Sequence, residues 1–293
     1  MGVLAPLKRV VFRPLKQGFH SAQRGIHIAL SPIRKRLTFG GLAPLVPPEA
    51  LMHDGPPTYF DFKRNAEEFL NLYVELCGLK THERILDVGC GIGRKTILLT
   101  KYLDARGSYD GIDIVKTGID WCSRKISPRH PNFHFQQIDV FNRHYNPSGR
   151  EPASAYRFPF PDGAFDFVAL GSVFTHMLPK DTENYLAQAT RVLGKDGRCL
   201  ISWFLLNPES RGLINAGKST LPFVHHIDDV VWTISRDDPE DAVAYDEAYV
   251  RRLYETCGLD IKERIHYGSW CGRDRFLSYQ DLILASPAAD RSR

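Results

Sequence analysis

The order of apolar runs and glycine breaks predicts an α/β fold on a mostly parallel sheet with an antiparallel edge. Three observations carry that prediction. Five strand-like runs alternate with helical-period segments between residues 84 and 257, the pattern of strands joined by crossover helices. Two further strand-like runs close the chain after the last helical segment, which places an antiparallel pair at one edge. The first strand, finally, runs straight into Asp87-x-Gly89-x-Gly91-x-Gly93 ahead of a helical pattern (Thr96, Ile97, Leu98, Leu99). A loop between strand and helix sits at the carboxyl end of a parallel sheet, where open α/β folds bind ligands.

The chain starts with a basic arm. Residues 1–48 hold Lys8, Arg9, Arg13, Lys16, Arg24, Arg34, Lys35 and Arg36 and no acid, so a net charge of +4 divides into +8 for the arm and −4 for the rest. Such an arm could touch anionic lipid, as a peripheral membrane contact, or an acidic partner or nucleic acid. An acid-free, arginine-containing segment also fits a transit peptide, though it is poor in serine, and a solvated extension fits it equally. Pro44, Pro47, Pro48, Pro56 and Pro57 mark 41–58 as a linker. Residues 1–58 are therefore assigned to an extension, 59–285 to the domain and 286–293 to a tail.

Within the domain a helix is predicted over 62–77, from Phe62, Ala66, Phe69, Leu70, Tyr73 and Leu76 at helical spacing with Gly78 as the stop. A strand over 84–88 leads through the glycine loop into a helix reaching about residue 103. Then follow a strand (108–114), a helix (117–126) and a strand (133–138). Residues 142–162, rich in Pro, Asn and Tyr, form an insertion before a strand over 165–170. A helix over 181–193 ends at Gly194 and a strand covers 198–205. Residues 206–245 are predicted irregular, a stretch too long for an ordinary connection and so a lid or small subdomain. A helix (246–257) and strands near 259–265 and 278–284 complete the chain. Six scattered cysteines without C-x-x-C spacing point to a reducing, cytoplasmic setting and away from zinc. The first 30 residues lack a clean apolar core for a secretory signal, and no apolar run is long enough to span a bilayer.

The loop carries the chemistry. Glycines at alternate positions let the backbone turn tightly and a ligand come within contact distance. The dinucleotide fingerprint G-x-G-x-x-G does not fit, because the spacing is G-x-G-x-G with an acid two residues earlier. Asp113 ends the second strand 20 residues after Gly93, where a carboxylate can accept both hydroxyls of a ribose. Asp139 ends the third strand, placed to accept from an adenine amino group while Val140 packs on the ring. Either acid could instead cap the helix after its strand.

This arrangement resembles motif I of the class I S-adenosylmethionine (SAM)-dependent methyltransferases. The segments Phe160-Pro-Asp-Gly-Ala-Phe-Asp166 and Arg191-Val-Leu-Gly-Lys-Asp-Gly-Arg198 are similar to the fourth-strand and pre-fifth-strand segments of the same superfamily. The resemblance covers about residues 60–205 closely and implies a Rossmann-like seven-stranded, mostly parallel sheet with helices on both faces and an antiparallel C-terminal strand pair. It also implies SAM as the cofactor. By position it carries over Asp87, Gly89, Cys90, Gly91 and Gly93 for the loop, Asp113 followed by Ile114 for the ribose, Asp139 and Val140 for the adenine, and Gly171 at the end of the fourth strand. Asp87 and the loop amides would face the amino-acid part of the cofactor, and an anionic loop suits its sulfonium and ammonium. Asp196-Gly197 replaces the usual Gly-Gly pair, a matter for a turn rather than catalysis.

For the methyl acceptor, the chain lacks the Asn/Asp-Pro-Pro-aromatic tetrad of enzymes acting on DNA amino groups and lacks a Pro-Cys nucleophile. His176 stands where several small-molecule O-methyltransferases of the superfamily carry a histidine, and an imidazole can take a hydroxyl proton as the oxygen attacks. A structural histidine near the cofactor is the competing account. Tyr267, Trp270 and Arg273, before the last strand, could roof a substrate pocket or close the sheet edge. His225-His226-x-Asp228-Asp229 is assigned to capping or exposure and not to a metal. Arg94 and Lys95 could steer an anionic acceptor or be solvated at a helix start, and the second reading is favoured. The expected function is O-methylation of a small-molecule or saccharide hydroxyl. The alternatives are a non-catalytic partner-binding protein of the same fold, aminopropyl transfer, or methylation of a protein or RNA.

Overall fold

The computed structural model describes residues 32–262 and 264–289. Readings of residues 1–31, with the first five basic residues of the arm, lie outside the described residues. Five strands come first: β1 (Arg84–Val88), β2 (Ser108–Asp113), β3 (Phe133–Gln137), β4 (Phe165–Leu170) and β5 (Leu193–Trp203). Then come β6 (Leu205–Leu206), β7 (His225–Asp228), β8 (Val231–Thr233) and β9 (Val243–Asp246), followed by β10 (Leu259–Ile261) and β11 (Asp281–Pro287). Among the described residues they form a seven-stranded sheet, ordered β10-β11-β5-β4-β1-β2-β3, and a four-stranded sheet, β6-β9-β8-β7. The first five strands pair in parallel, while β11 runs antiparallel to both β5 and β10, as expected. No helix of the described residues is long and apolar enough to cross a membrane.

Residues 32–39 are helical, and the helices after them are α1 (Tyr59–Asn71), α2 (Leu99–Tyr102), α3 (Lys116–Lys125), α4 (Pro179–Val192), α5 (Pro208–Asn215) and α6 (Glu247–Thr256). Alternation along each strand splits the core in two. Leu86 and Val88 of β1 pack with Tyr185 and Leu186 of α4 and Val250 of α6, whereas Ile85 packs with Phe62 of α1 and Ile119 of α3. Helices therefore cover both faces.

Several boundaries differ from the sequence expectation, each for a packing reason. Residues 41–58 are not a linker: Phe39, Leu42, Leu45, Val46 and Met52 are buried in the α1/α3 core, and Trp121 of α3 donates to the Leu45 carbonyl at 2.9 Å. Even the end of the basic arm is engaged, with Arg34 on Glu49 at 2.8 Å and Lys35 over the Trp121 ring. Helix α1 starts at Tyr59 because Thr58 caps it, accepting from the Asp61 amide at 3.0 Å. The chain continues as a π-helical turn (Leu72–Leu76). After the glycine loop the expected helix shrinks to α2, preceded by irregular turns. Strand β5 starts early, pairing Leu193 with Phe165, then bulges before Arg198 meets Phe167. Residues 206–245, predicted irregular, hold α5 and most of the small sheet.

The last strand begins at Asp281, three residues later than predicted, and that carboxylate is the reason. It is fully buried and accepts from Leu205 N (2.7 Å), Gly268 N (2.7 Å), Trp270 Nε1 (2.8 Å) and Arg273 Nη1 (3.2 Å). Burial pushes its carboxyl up to about 6 while these donors pull the other way. One side chain thus ties β11, the start of β6 and the 266–273 turn together. Removing it leaves four donors, one of them a buried cation, without their acceptor. Asp281→Ala should lower unfolding free energy by about 3–5 kcal/mol in urea titration, and Trp270→Phe, which deletes one donor, by about 1 kcal/mol. Equal losses in the two variants would contradict this account.

Candidate functional site

A cavity of about 390 Å³ opens at the carboxyl ends of β1, β2 and β4, where a parallel sheet leaves room between diverging loops. Its floor is the glycine loop. Gly89 and Gly91 have φ of +73° and +60°, and a Cβ on them would lie 2.6 Å from Val173 Cγ2 and 2.2 Å from Asp54 Oδ2, so only glycine allows this path. The Gly89 and Cys90 amides both donate to the Ile112 carbonyl (2.8 and 3.2 Å), pinning the loop to β2. Asp113 completes the attachment: its Oδ2 accepts from Gly91 N and its Oδ1 from Val115 N, each at 2.7 Å. Burial raises its pKa, and those two amides oppose the shift.

The charges on the loop are arranged differently from the expectation. Asp87 is fully buried and is absent from the cavity wall. Its Oδ2 accepts from Tyr109 Oη at 2.8 Å, and Lys95 Nζ stands 2.8 Å from its Oδ1. That last contact lacks hydrogen-bond alignment, so the pairing is Coulombic. Lys95 also donates to the Gly89 carbonyl at 2.8 Å. Arg94 is buried too, donating to Asp54 Oδ1 (3.0 and 3.2 Å) and lying 4.8 Å over the Phe62 ring. Neither cation is solvated, because each is drawn inward by a carboxylate. Asp54 in turn accepts from the Ile92 amide at 3.2 Å.

Of the residues singled out from sequence, Gly89, Gly91, Asp113, Ile114, Val140, Gly171 and His176 line the cavity. Cys90, Gly93 and Asp139 are not among the lining residues. Cys90 is fully buried, Gly93 packs on Cys122, and Asp139 pairs with Arg150. Tyr267, Trp270 and Arg273 do not line it either, which leaves the sheet-edge account of them. Trp270 and Arg273 belong to the Asp281 network, and Tyr267 donates to Glu247 at 2.9 Å. The His225-to-Asp229 run forms β7 and its turn, with His226 edge-on to Trp232. Sequence reasoning missed His53, Asp54, Phe141, Tyr145, Glu240 and Gln280, all in the wall. The polar His53-Asp54 pair inside a proline-rich turn was the one available signal.

His176 closes the far side from a short 3-10 turn (Phe174–His176) that follows β4. Its Nδ1 lies 3.0 Å from the Glu240 carbonyl. A carbonyl only accepts, so Nδ1 carries the proton and Nε2 keeps its lone pair. Burial lowers the ring's pKa, against smaller upward pulls from the Glu240 carbonyl and Asp241, and so favours the neutral imidazole.

The methyltransferase domain family matches residues 86–201. The 27-O-demethylrifamycin SV methyltransferase of Amycolatopsis mediterranei is 32% identical over 139 residues, 46% of this chain and 43% of that protein. The chain spans about half or less of the length of the curated relatives it matches. Among solved structures, the PH0226 protein of Pyrococcus horikoshii superposes with a TM-score of 0.52 at 16% identity, covering 78% of this chain and 91% of that one. The 1,6-didemethyltoxoflavin-N1-methyltransferase of Burkholderia thailandensis gives 0.50 at 15% identity, covering 94% of both. Sheet order, glycine loop and these matches agree: the chain has the class I, Rossmann-like fold of the SAM-dependent methyltransferases.

Proposed function

We propose that the protein is a SAM-dependent methyltransferase that methylates a hydroxyl of a small molecule, with His176 as general base. The observation that carries this reading is the contact of His176 Nδ1 with the Glu240 carbonyl, which leaves Nε2 to accept a proton, in the same cavity as Asp113 and the glycine loop. The rifamycin relative, named for methylation at an oxygen, supports the choice of acceptor atom.

The residues present fit the cofactor. Each Asp113 oxygen holds one amide and keeps lone pairs for a ribose diol. Ile114, Ile138 and Val140 offer apolar surface to a base, and Gly89 and Gly91 put no side chain into the cavity. The loop is neutral overall rather than anionic, since Lys95 offsets Asp87 and Arg94 offsets Asp54. A wall bearing both signs suits an amino-acid end that is itself a zwitterion. Bound there, SAM would supply an electrophilic methyl group. The protein's part is to align an acceptor hydroxyl and remove its proton: Glu240 holds the ring through Nδ1, and Nε2 takes the proton as the oxygen becomes nucleophilic.

Calorimetric titration with S-adenosylhomocysteine should give micromolar binding, and Asp113→Ala should weaken it by about 10- to 100-fold with circular dichroism unchanged. No heat with the wild type would sink the reading. For His176, the base must be unprotonated, and its lowered pKa keeps it so to below the pH at which a free imidazole titrates. Turnover measured as S-adenosylhomocysteine release should therefore hold down to mildly acidic pH before falling. His176→Gln should lose about 10²- to 10⁴-fold in kcat and abolish that acid limb. An unchanged pH profile in the variant would remove His176 from the chemistry.

A further inference from the structure

The wall around His176 has features that the fold does not require. Phe141 and Tyr145 are 50% and 46% exposed, and both line the cavity. Of the large apolar side chains left exposed among the described residues, they are the two in that wall. Exposing two aromatic rings at a cavity mouth gains nothing for folding. The hairpin that carries them is fixed by hydrogen bonds. Asn142 Oδ1 accepts from the His144 and Tyr145 amides, both at 3.0 Å, and the Asn142 and Asn146 backbones bond reciprocally (3.2 and 3.0 Å). Asn146 Nδ2 reaches back to the Val140 carbonyl at 2.9 Å. This tight hairpin is fastened to the small-sheet subdomain by Arg143 on the Asp237 carbonyl (3.0 Å) and His144 on Asp238 (2.7 Å). Tyr145 meets the His176 ring edge-on with centroids 6.2 Å apart.

The lysines, arginines and carboxylates that line the cavity are unevenly placed. Asp181 and Glu240 line it on this side. The only lysine and arginine in the wall, among the described residues, are Lys95 and Arg94, both at the glycine loop and both held by their own carboxylates. Of the next cations along the hairpin, neither of which lines the cavity, His144 pairs with the Asp238 carboxylate and Arg143 donates to the Asp237 carbonyl. A carboxylate or phosphate on an acceptor would come close to Asp181 and Glu240 with no unpaired lysine or arginine of the cavity wall to meet it, in surroundings where charges are weakly screened.

We propose that Phe141 and Tyr145, with Glu240 opposite, form an acceptor subsite for an uncharged flat-ringed hydroxyl compound of the phenol class, and that acidic analogues are excluded. The inference rests on the methyl-transfer reading above. The aromatic faces would take the ring and leave its hydroxyl toward His176 Nε2.

The test uses 7-hydroxycoumarin and 7-hydroxycoumarin-3-carboxylate, intrinsically fluorescent probes that differ by one anionic group. Their binding to the full chain saturated with S-adenosylhomocysteine is followed by fluorescence anisotropy at mildly acidic pH. The neutral probe should bind roughly tenfold or more tightly than the carboxylate, and Phe141→Ala and Tyr145→Ala should each weaken it by about tenfold. Equal or tighter binding of the carboxylate overturns the charge argument. Binding of neither probe, with S-adenosylhomocysteine still bound, overturns the ring argument. Equal loss of S-adenosylhomocysteine in the two variants would assign the rings to the cofactor side and overturn the subsite. If the wild type does not bind S-adenosylhomocysteine at all, it is the methyl-transfer reading that has failed.

Discussion

Asp87 carries a carboxylate at the end of β1 with no access to water, and the shape of the site follows from neutralising it. A buried, unpaired carboxylate costs several kcal/mol even after relaxation, so a cation must come to it. Lys95 comes from eight residues downstream, which requires the chain to fold back over its own strand end. The three glycines allow that return, and the Gly89 carbonyl receives the same ammonium. Tyr109, bonded to Asp87 on one side and accepting from Thr96 on the other, couples β2 and the post-loop turn to the same charge. A regular helix starting at the loop would not present Lys95 inward, which accounts for the turns that precede α2.

With Lys95 turned in, the outer surface of the loop is set by Arg94 and Asp54. Their pairing joins the glycine loop to a segment some 40 residues earlier, and Gly55 packs against the guanidinium. The N-terminal segment is therefore a wall of the cavity and not a tether leading to it. Its buried side chains, from Phe39 to Met52, hold that wall against α3. The amino-acid end of the proposed cofactor site is thus built by residues far apart in sequence.

What could be foreseen from the sequence divides along the same line. The strands, the sheet class and the Asp113 position follow from local signals: period-2 apolar runs, glycine spacing and an acid at a strand end. Lys95 and Arg94 were misplaced because a charge beside a loop is ordinarily solvated, and nothing nearby reveals that Asp87 and Asp54 will be buried or close by. Asp54 itself was hidden in a run of prolines that suggests a linker. Strand β11 was misplaced by three residues because Asp281 is fixed by contacts to Leu205, Gly268, Trp270 and Arg273, not by its own neighbours. The small sheet escaped notice since β6 has two residues and β8 three, too short for periodicity to register.

That small sheet has the closest bearing on chemistry. Its segment between β8 and β9 supplies the Glu240 carbonyl that orients His176, while Asp237 and Asp238 hold the aromatic hairpin. Tyr245 of β9 adds a bond to the Met177 carbonyl at 2.6 Å, next to His176 in the chain. One subdomain therefore sets the tautomer of the candidate base and the position of the rings beside it. The large sheet contributes too, since Phe174 packs edge-on to Trp203 of β5 and the Ser172 amide donates to Ser202 at 2.7 Å. A change within residues 235–241 would then alter the alignment of the base and the shape of the acceptor mouth together, while the Asp113 end, anchored on β1 and β2, would stay as it is. In the proposed reading, the small sheet therefore bears on the acceptor end of the cavity and not on the Asp113 end.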